Sequence, residues 1–249
     1  MLKINFTNIL IYSFLLWVVV FTGSTLAKVP EHEVRGLFDD DSTVKLVVAA
    51  SHGDIDAIDK LVSEGADVNA RGRKGITPLV FMLSQKNMAG FARLLSHGAD
   101  PNLLYDGKNS IMRALSELDD SEFLKIAIEY GGDVNAISGN QSIIFYAIKH
   151  GRADNVKVLI DSGADINFQN KVTGKTPLHI AGIANQYKIA YILLKSGADY
   201  SINDNLGRNG LIWGIENNGI NQEYEPYQWR EKVINYLSDV GINTNPRHP

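Results

Sequence analysis

The chain has 249 residues, with 24 Lys and Arg against 28 Asp and Glu, for a formal charge of −4. Its 45% hydrophobic and 21% charged content is ordinary for a folded globular protein, and a chain of this order makes one or two domains. The absence of cysteine excludes disulfides, iron–sulfur clusters, cysteine zinc sites and thiol nucleophiles.

Residues 1–27 stand apart. Lys3 precedes an apolar run from Ile9 to Phe21, and small residues follow as far as Thr25-Leu26-Ala27. This pattern predicts a secretory signal peptide cleaved after Ala27. The run is shorter than the ~20 residues a spanning helix needs, so no membrane insertion is expected after cleavage. Retention as an uncleaved anchor is the alternative. A lipid anchor at the cleavage site would need a cysteine. Cleavage removes Lys3 as the one charged residue of the segment and moves the formal charge to −5.

Residues 28–41 form a charged lead-in, whose Asp39-Asp40-Asp41 is placed to cap a following helix. From 42 to 245 the chain repeats itself. Gly-Ala-Asp, or Gly-Gly-Asp once, begins at Gly65, Gly98, Gly131, Gly163 and Gly197, in steps of 33, 33, 32 and 34. A helix-start position lies 21 residues earlier each time, at Val44, Thr77, Ser110, Ser142 and Thr176. Asn69, Asn102, Asn135 and Asn167 each follow their glycine by four. Gly-Ala-Asp marks a helix end, since glycine takes the left-handed conformation that closes one.

The first unit, from about Ser42 to Ala70, lacks Thr-Pro, as a terminal repeat with one unpartnered face can. The second has Thr77-Pro78-Leu79, the third Ser110-Ile111-Met112, the fourth Ser142-Ile143-Ile144 and the fifth Thr176-Pro177-Leu178-His179. A sixth replaces the signature with Asn209-Gly210-Leu211-Ile212 and ends at Gly241. Its extra residues are expected at 217–228, with the second helix running from about Trp229 to Val240 because Pro226 opposes an earlier start. Residues 246–249 are a tail. The pairs Leu61-Val62, Leu94-Leu95, Leu159-Ile160 and Leu193-Leu194 are expected to form the apolar spine.

The Thr-Pro-Leu-His signature and the 33-residue step resemble the ankyrin repeat, a turn followed by two antiparallel helices. The resemblance covers 42–245 and implies an all-α solenoid of about six helix pairs with hairpin-like tips. It also implies that His179 bonds the backbone of a neighbouring turn.

Sites for chemistry are scarce. No two of the six histidines have the spacing of a helical zinc site, and neither a phosphate loop nor a nucleophile elbow occurs. His97 sits at a helix end, where an imidazole suits the dipole. Gly72-Arg73-Lys74-Gly75 falls at a tip rather than in a phosphate cradle. Glu117, Asp119, Asp120 and Glu122 lack the spacing of a calcium loop. No catalytic residue, metal or cofactor is expected.

In the resemblance, recognition lies at the tips and at the first-helix residue after the signature histidine, which together line a concave face. The tips carry Arg71, Arg73, Lys74, Lys108, Lys171, Lys175 and Arg208 against Asp106 and Asp204. This imbalance would draw an acidic protein surface. The first-helix position gives Val48, Phe81, Ala114, Tyr146, Ile180 and Trp213, of which the aromatics are candidate anchors. Leu104 and Tyr105 are apolar at a tip where the family prefers polar residues. Nucleic acid is not the expected partner, because the chain's pI is about 5.9 and nucleic-acid binders carry a basic footprint over a whole domain.

An export signal ahead of these repeats is similar to small exported bacterial ankyrin proteins. One such group provides periplasmic immunity against lipase toxins of the type VI secretion system. That resemblance implies a protein, monomeric when free, that occludes a (phospho)lipase effector in the periplasm. A periplasmic adaptor for another enzyme, such as a stress-defence enzyme, is the alternative.

Overall fold

A computed structural model describes residues 29–105, 107, 109–218 and 225–244. The signal segment therefore lies outside the described residues. Among them no helix is long and apolar enough to cross a membrane.

Among the described residues, six helix pairs follow a short leading helix. The leader is α1 (Glu31–Arg35) and the pairs are α2 (Asp41–Ser51) with α3 (Ile55–Ser63), α4 (Pro78–Ser84) with α5 (Met88–Ser96), and α6 (Ile111–Ser116) with α7 (Glu122–Glu129). Then come α8 (Ile143–Lys149) with α9 (Ala153–Asp161), α10 (Pro177–Ile183) with α11 (Tyr187–Lys195), and α12 (Gly210–Asn217) with α13 (Glu225–Asp239). Two tips are two-stranded antiparallel ribbons. In one, β1 (Leu104–Tyr105) pairs with β2 (Asn109–Ser110); in the other, β3 (Ile137–Ser138) pairs with β4 (Gln141–Ser142). The chain divides into two compact units. The first ends at Ile111 and takes in Glu129–Gly131; the second holds Met112–Ile128 and resumes at Gly132.

The signature residues start the helices as expected. Helices α4, α6, α8, α10 and α12 begin immediately after Thr77, Ser110, Ser142, Thr176 and Asn209. Thr77 accepts from the Val80 N–H, Thr176 from His179 and Asn209 from Ile212, which satisfies helix-start donors that have no intrahelical partner. The first repeat departs from the register. Its helix begins at Asp41 rather than at Val44, because Asp40 accepts from the Thr43 N–H at 2.8 Å.

The Gly-Ala-Asp turn has a physical reason at each letter. Gly197 stands at φ 88°, a region that an L side chain resists. The next N–H, of Ala198, then reaches back to the Leu193 carbonyl at 2.9 Å, and Ala198 is buried. Asp199 accepts from the Ser201 N–H at 2.8 Å and closes the turn. The same three features recur at Gly98, where Ala99 bonds Leu94 and Asp100 accepts from Asn102.

The recurring asparagine ties one turn to the next. In the first unit Asn69 donates to the Gly98 carbonyl at 3.0 Å and accepts from the Asp100 N–H at 2.8 Å. In the second unit Asn135 accepts from Asp165 and Asn167 from Asp199, each at 2.8 Å. Other asparagines tie helix ends together. Asn87 donates to the Ala50 and Ser51 carbonyls, and the buried Asn155 to those of Leu115, Ser116 and Leu118. Helices α10 and α12 approach so closely that a Cβ on Gly214 would lie 2.3 Å from the Gly182 carbonyl oxygen.

Three expectations need correction. The lead-in is not merely charged: Val34 and Phe38 are buried, α1 packs on α2, and Arg73 N–H donates to the Leu37 carbonyl at 2.8 Å. Leu61 and Val62 are only half-buried, since α3 buries Ile58 alone, and Ile160 is half-buried also. Helix α13 begins at Glu225 rather than near Trp229. Pro226 is its second residue, where a missing N–H costs nothing.

The turn-to-turn bonds have a measurable consequence. Asn69→Ala removes both bonds and is expected to cost about 1–2 kcal/mol. The check is urea unfolding against an exposed control, Ser63→Ala.

Candidate functional site

His179, in the second unit, is bonded through both ring nitrogens. It is buried. Its Nδ1 accepts from the Thr176 N–H at 3.2 Å, and its Nε2 lies 3.1 Å from the Arg208 carbonyl, to which it donates. The ring is thus held neutral, with its proton on Nε2. Its pKa is lowered chiefly by burial and slightly by Lys175, against opposing contributions from the Arg208 carbonyl and Asp204. His97 caps the end of α5, and its Nε2 also meets Asp59 at 2.7 Å. Arg93 grips the same carboxylate from the same helix. These two contacts, Arg93 first, hold the Asp59 pKa down at about 2.

The acids of the third repeat are engaged internally. Glu117 accepts from Arg113 at 2.9 Å, Asp119 meets Arg152, Asp120 accepts from the Glu122 N–H, and Glu122 pairs with Lys125. At Gly72–Gly75 the backbone is also committed. Gly72 N–H donates to Ile76 and Arg73 N–H to Leu37, so these donors do not cradle a phosphate.

The expected partner-binding residues fall into different environments. Phe81 is 6% exposed and belongs to the core of α4. It must be withdrawn as an anchor, because the apolar face of that helix turns it inward beside Leu79 and Met82. Trp213 is 41% exposed on α12. Tyr146 is half-buried and donates to the Ser138 carbonyl at 2.8 Å. Tyr105 is half-buried and Leu104 is 42% exposed.

The tip cations are not equivalent. Arg71 donates to the Leu104 carbonyl at 2.9 Å, joining two tips of the first unit. Arg73 lies 3.9 Å from Asp39, and Lys74 is exposed in a left-handed turn at φ 57°. Arg208 pairs with Asp204 at 3.0 Å. Asp204 is buried, which alone would raise its pKa; its bonds from the Arg208 and Leu206 N–H groups and the Arg208 guanidinium hold it at about 2. Arg71 and Arg208 therefore shape the tips. Lys171 is exposed and Lys175 half-buried, and among the described residues neither ammonium has a hydrogen bond or ion pair. Lys108 lies outside the described residues.

Sequence reasoning missed an apolar series. Ile137, Val172 and Leu206 are 49%, 64% and 72% exposed at successive tips of the second unit. These tips are joined by hydrogen bonds to backbone carbonyls. Asn170 donates to the Asn140 carbonyl at 2.8 Å, and Asn205 donates to those of Thr173 and Val172 at 3.0 Å. The available signal was an aliphatic recurring near the repeat step where polar residues are expected. Counting charges alone passed over it.

Comparison with known proteins gives the same architecture. A family model described as ankyrin repeats matches in three overlapping copies, at residues 46–138, 111–204 and 144–247. The chain is 32% identical over 142 residues to a mitochondrial disaggregase of Bos taurus, covering 55% of this chain and 20% of that protein. It is 33% identical over 134 residues to the neurogenic locus Notch protein of Drosophila melanogaster, covering 53% and 4%. A bacterial relative, protein PhlB of Serratia liquefaciens, is 27% identical over 152 residues, covering 60% and 66%. The chain thus spans a fifth or less of the first two relatives and about two thirds of the third.

The environment of His179 sets a pH response. Its pKa is lowered on folding, so the stability it contributes is full above the unfolded value of about 6.5 and is lost as pH falls below it. The urea midpoint is expected to drop between pH 7.5 and pH 5.5, and to drop less in His179→Asn.

Proposed function

The chain belongs to the ankyrin-repeat family, and we propose that it binds one folded protein partner, without catalysis, after export to the periplasm. Ankyrin repeats are protein-interaction modules, generally non-catalytic. The observation that carries this reading is the division of labour among side chains in the second unit. The repeated residues fill the core or bond one turn to the next. The residues left over, Ile137, Val172 and Leu206 on the tips and Trp213 on α12, are large, apolar and solvent-exposed. Exposed apolar groups at successive tips mark an interaction surface, and tryptophan is a frequent energetic anchor of protein interfaces.

The partner we propose is an antibacterial (phospho)lipase toxin, which the chain neutralises as a periplasmic immunity protein by covering its active-site mouth or membrane-docking face. Two features support this reading: the signal-like segment before residue 28 and the match to a bacterial relative. Occlusion needs a stiff surface, and the bonds between neighbouring tips supply one by reducing the ordering cost of binding.

Affinity capture from a periplasmic extract tests the reading. The tagged chain is expected to retain a single secreted lipase and inhibit it stoichiometrically. The double variant Val172→Asp/Leu206→Asp should weaken capture by roughly a hundredfold, the loss of about 2–3 kcal/mol at a buried contact, with unchanged circular dichroism. Retention of an enzyme whose activity is unaffected would refute the toxin assignment. Undiminished capture by the double variant would refute the surface.

A further inference from the structure

Two tips of the second unit are built alike. In residues 170–175 the buried Asn170 side chain accepts from the Val172 and Thr173 N–H groups at 2.9 and 3.0 Å. The Asn170 N–H donates to the Lys175 carbonyl, and the Gly174 N–H returns to the Asn170 carbonyl. In residues 204–208 the buried Asp204 side chain accepts from the Leu206 and Arg208 N–H groups at 2.9 and 3.0 Å. The Asp204 N–H donates to the Arg208 carbonyl, and the Gly207 N–H to that of Asp204. Val172 and Leu206 thus hold the same place, two residues after the side chain that ties the turn. Both stand mostly in water, 64% and 72% exposed.

The turns are also fixed to each other. Asn205, beside Leu206, donates its side-chain amide to the Val172 carbonyl and its backbone N–H to that of Thr173, each at 3.0 Å. The fit leaves no room beside Asn205 for a Cβ on Gly174. Two aliphatic side chains therefore stand on one hydrogen-bonded platform. The turn itself does not require them. In the first unit a turn closed in the same way, from the Gly72 N–H to Ile76 and from the Gly75 N–H to Gly72, carries Lys74 at that place.

Their form selects the receiver. Exposed aliphatics on rigid turns gain from burial at little ordering cost, and side chains that stand out from a tip are covered most fully by a hollow. Lys171 precedes Val172 and is exposed, and its ammonium has no hydrogen bond or ion pair among the described residues. An acid at the rim of the hollow would complement it. A bilayer is the weaker receiver. Peripheral docking on lipid draws on a cluster of cations, whereas Arg208 is already paired with Asp204 and the chain carries a formal charge of −4.

We propose that Val172 and Leu206 are paired apolar prongs that enter an apolar cleft on the protein partner, with an acid at the cleft rim meeting Lys171. The inference rests on the reading that the second unit binds a protein. It adds the form of the partner's surface: a cleft of the kind that an enzyme acting on acyl chains opens to its substrate.

The test uses the full chain, produced by export with p-benzoylphenylalanine in place of Thr173. The probes are a periplasmic extract and vesicles of equal phosphatidylcholine and phosphatidylglycerol. Light should join position 173 to one protein, beside an apolar cleft in that protein's structure. Affinity of the purified pair should fall about tenfold for Leu206→Ala, and about tenfold for Leu206→Trp as well, because a cleft rejects a larger side chain. Val172→Thr keeps the shape but adds a hydroxyl, and should weaken binding too. Lys171→Glu should weaken it more at low salt than at high. The urea midpoint should hold in all four variants, since none removes a bond that ties the turns. Undiminished or tighter binding by Leu206→Trp would overturn the cleft, as would cross-links on a flat or polar surface. Vesicle binding that is lost in Val172→Asp would place the prongs in lipid instead. A partner that joins position 173 yet ignores the changes at 172 and 206 removes the prongs and leaves protein binding standing. Cross-linking to no protein would count against both.

Discussion

The structure depends on hydrogen bonds that run sideways from one turn to the next. Each repeat must end its second helix in a turn whose backbone donors and acceptors would otherwise face water. The residue four after Gly65, Gly98, Gly131 and Gly163 is asparagine, which can donate and accept at once. Asn69 uses both capacities, toward Gly98 and Asp100. Asn135 and Asn167 repeat the acceptor half toward Asp165 and Asp199. These bonds fix the spacing of neighbouring turns within each unit. They complement apolar burial, which is non-directional and cannot set register by itself. Stability in such an array is a sum of repeat and neighbour terms, so each bond acts on two repeats together.

Where the backbone is fixed laterally, side chains on the tips are released from structural duty. The contrast between Arg208 and Lys171 shows it. Arg208 is held by the buried Asp204, whose carboxylate also gathers two backbone N–H groups. It belongs to the scaffold although it is exposed. Lys171, Val172 and Leu206 are exposed beside it. A basic tip is therefore not one electrostatic feature. Some cations stiffen the tip, and those left over are open to recognition.

Most of the fold was legible in the sequence because repetition converts weak local signals into a register. Thr77, Ser110, Ser142, Thr176 and Asn209 each precede a helix, and the role of His179 followed from the signature it completes. The misses have physical causes. Phe81 occupies the nominal recognition position, yet α4 is apolar on so wide an arc that the ring turns inward. The first repeat replaces the Thr-Pro start with Asp40, and the lead-in helix covers a face that the repeat alone would leave open. The candidate site was less legible. Exposure at Ile137, Val172 and Leu206 depends on where each tip residue points. The contacts of the Tyr146 ring join Arg113 of the third repeat to Lys149 of the fourth, a meeting that neither repeat shows by itself.

The central claim is that asparagine side chains lock exposed turns in place. Amide hydrogen exchange of the folded chain tests it most directly, read at the Asp165 and Asp199 N–H groups, whose acceptors among the described residues are the Asn135 and Asn167 side chains. Both amides are on exposed residues. The account predicts that they exchange at least roughly tenfold more slowly than open surface amides, and that Asn167→Ala releases Asp199 while Asp165 stays protected. Exchange of both amides at the rate of an unstructured peptide in the parent protein would contradict it.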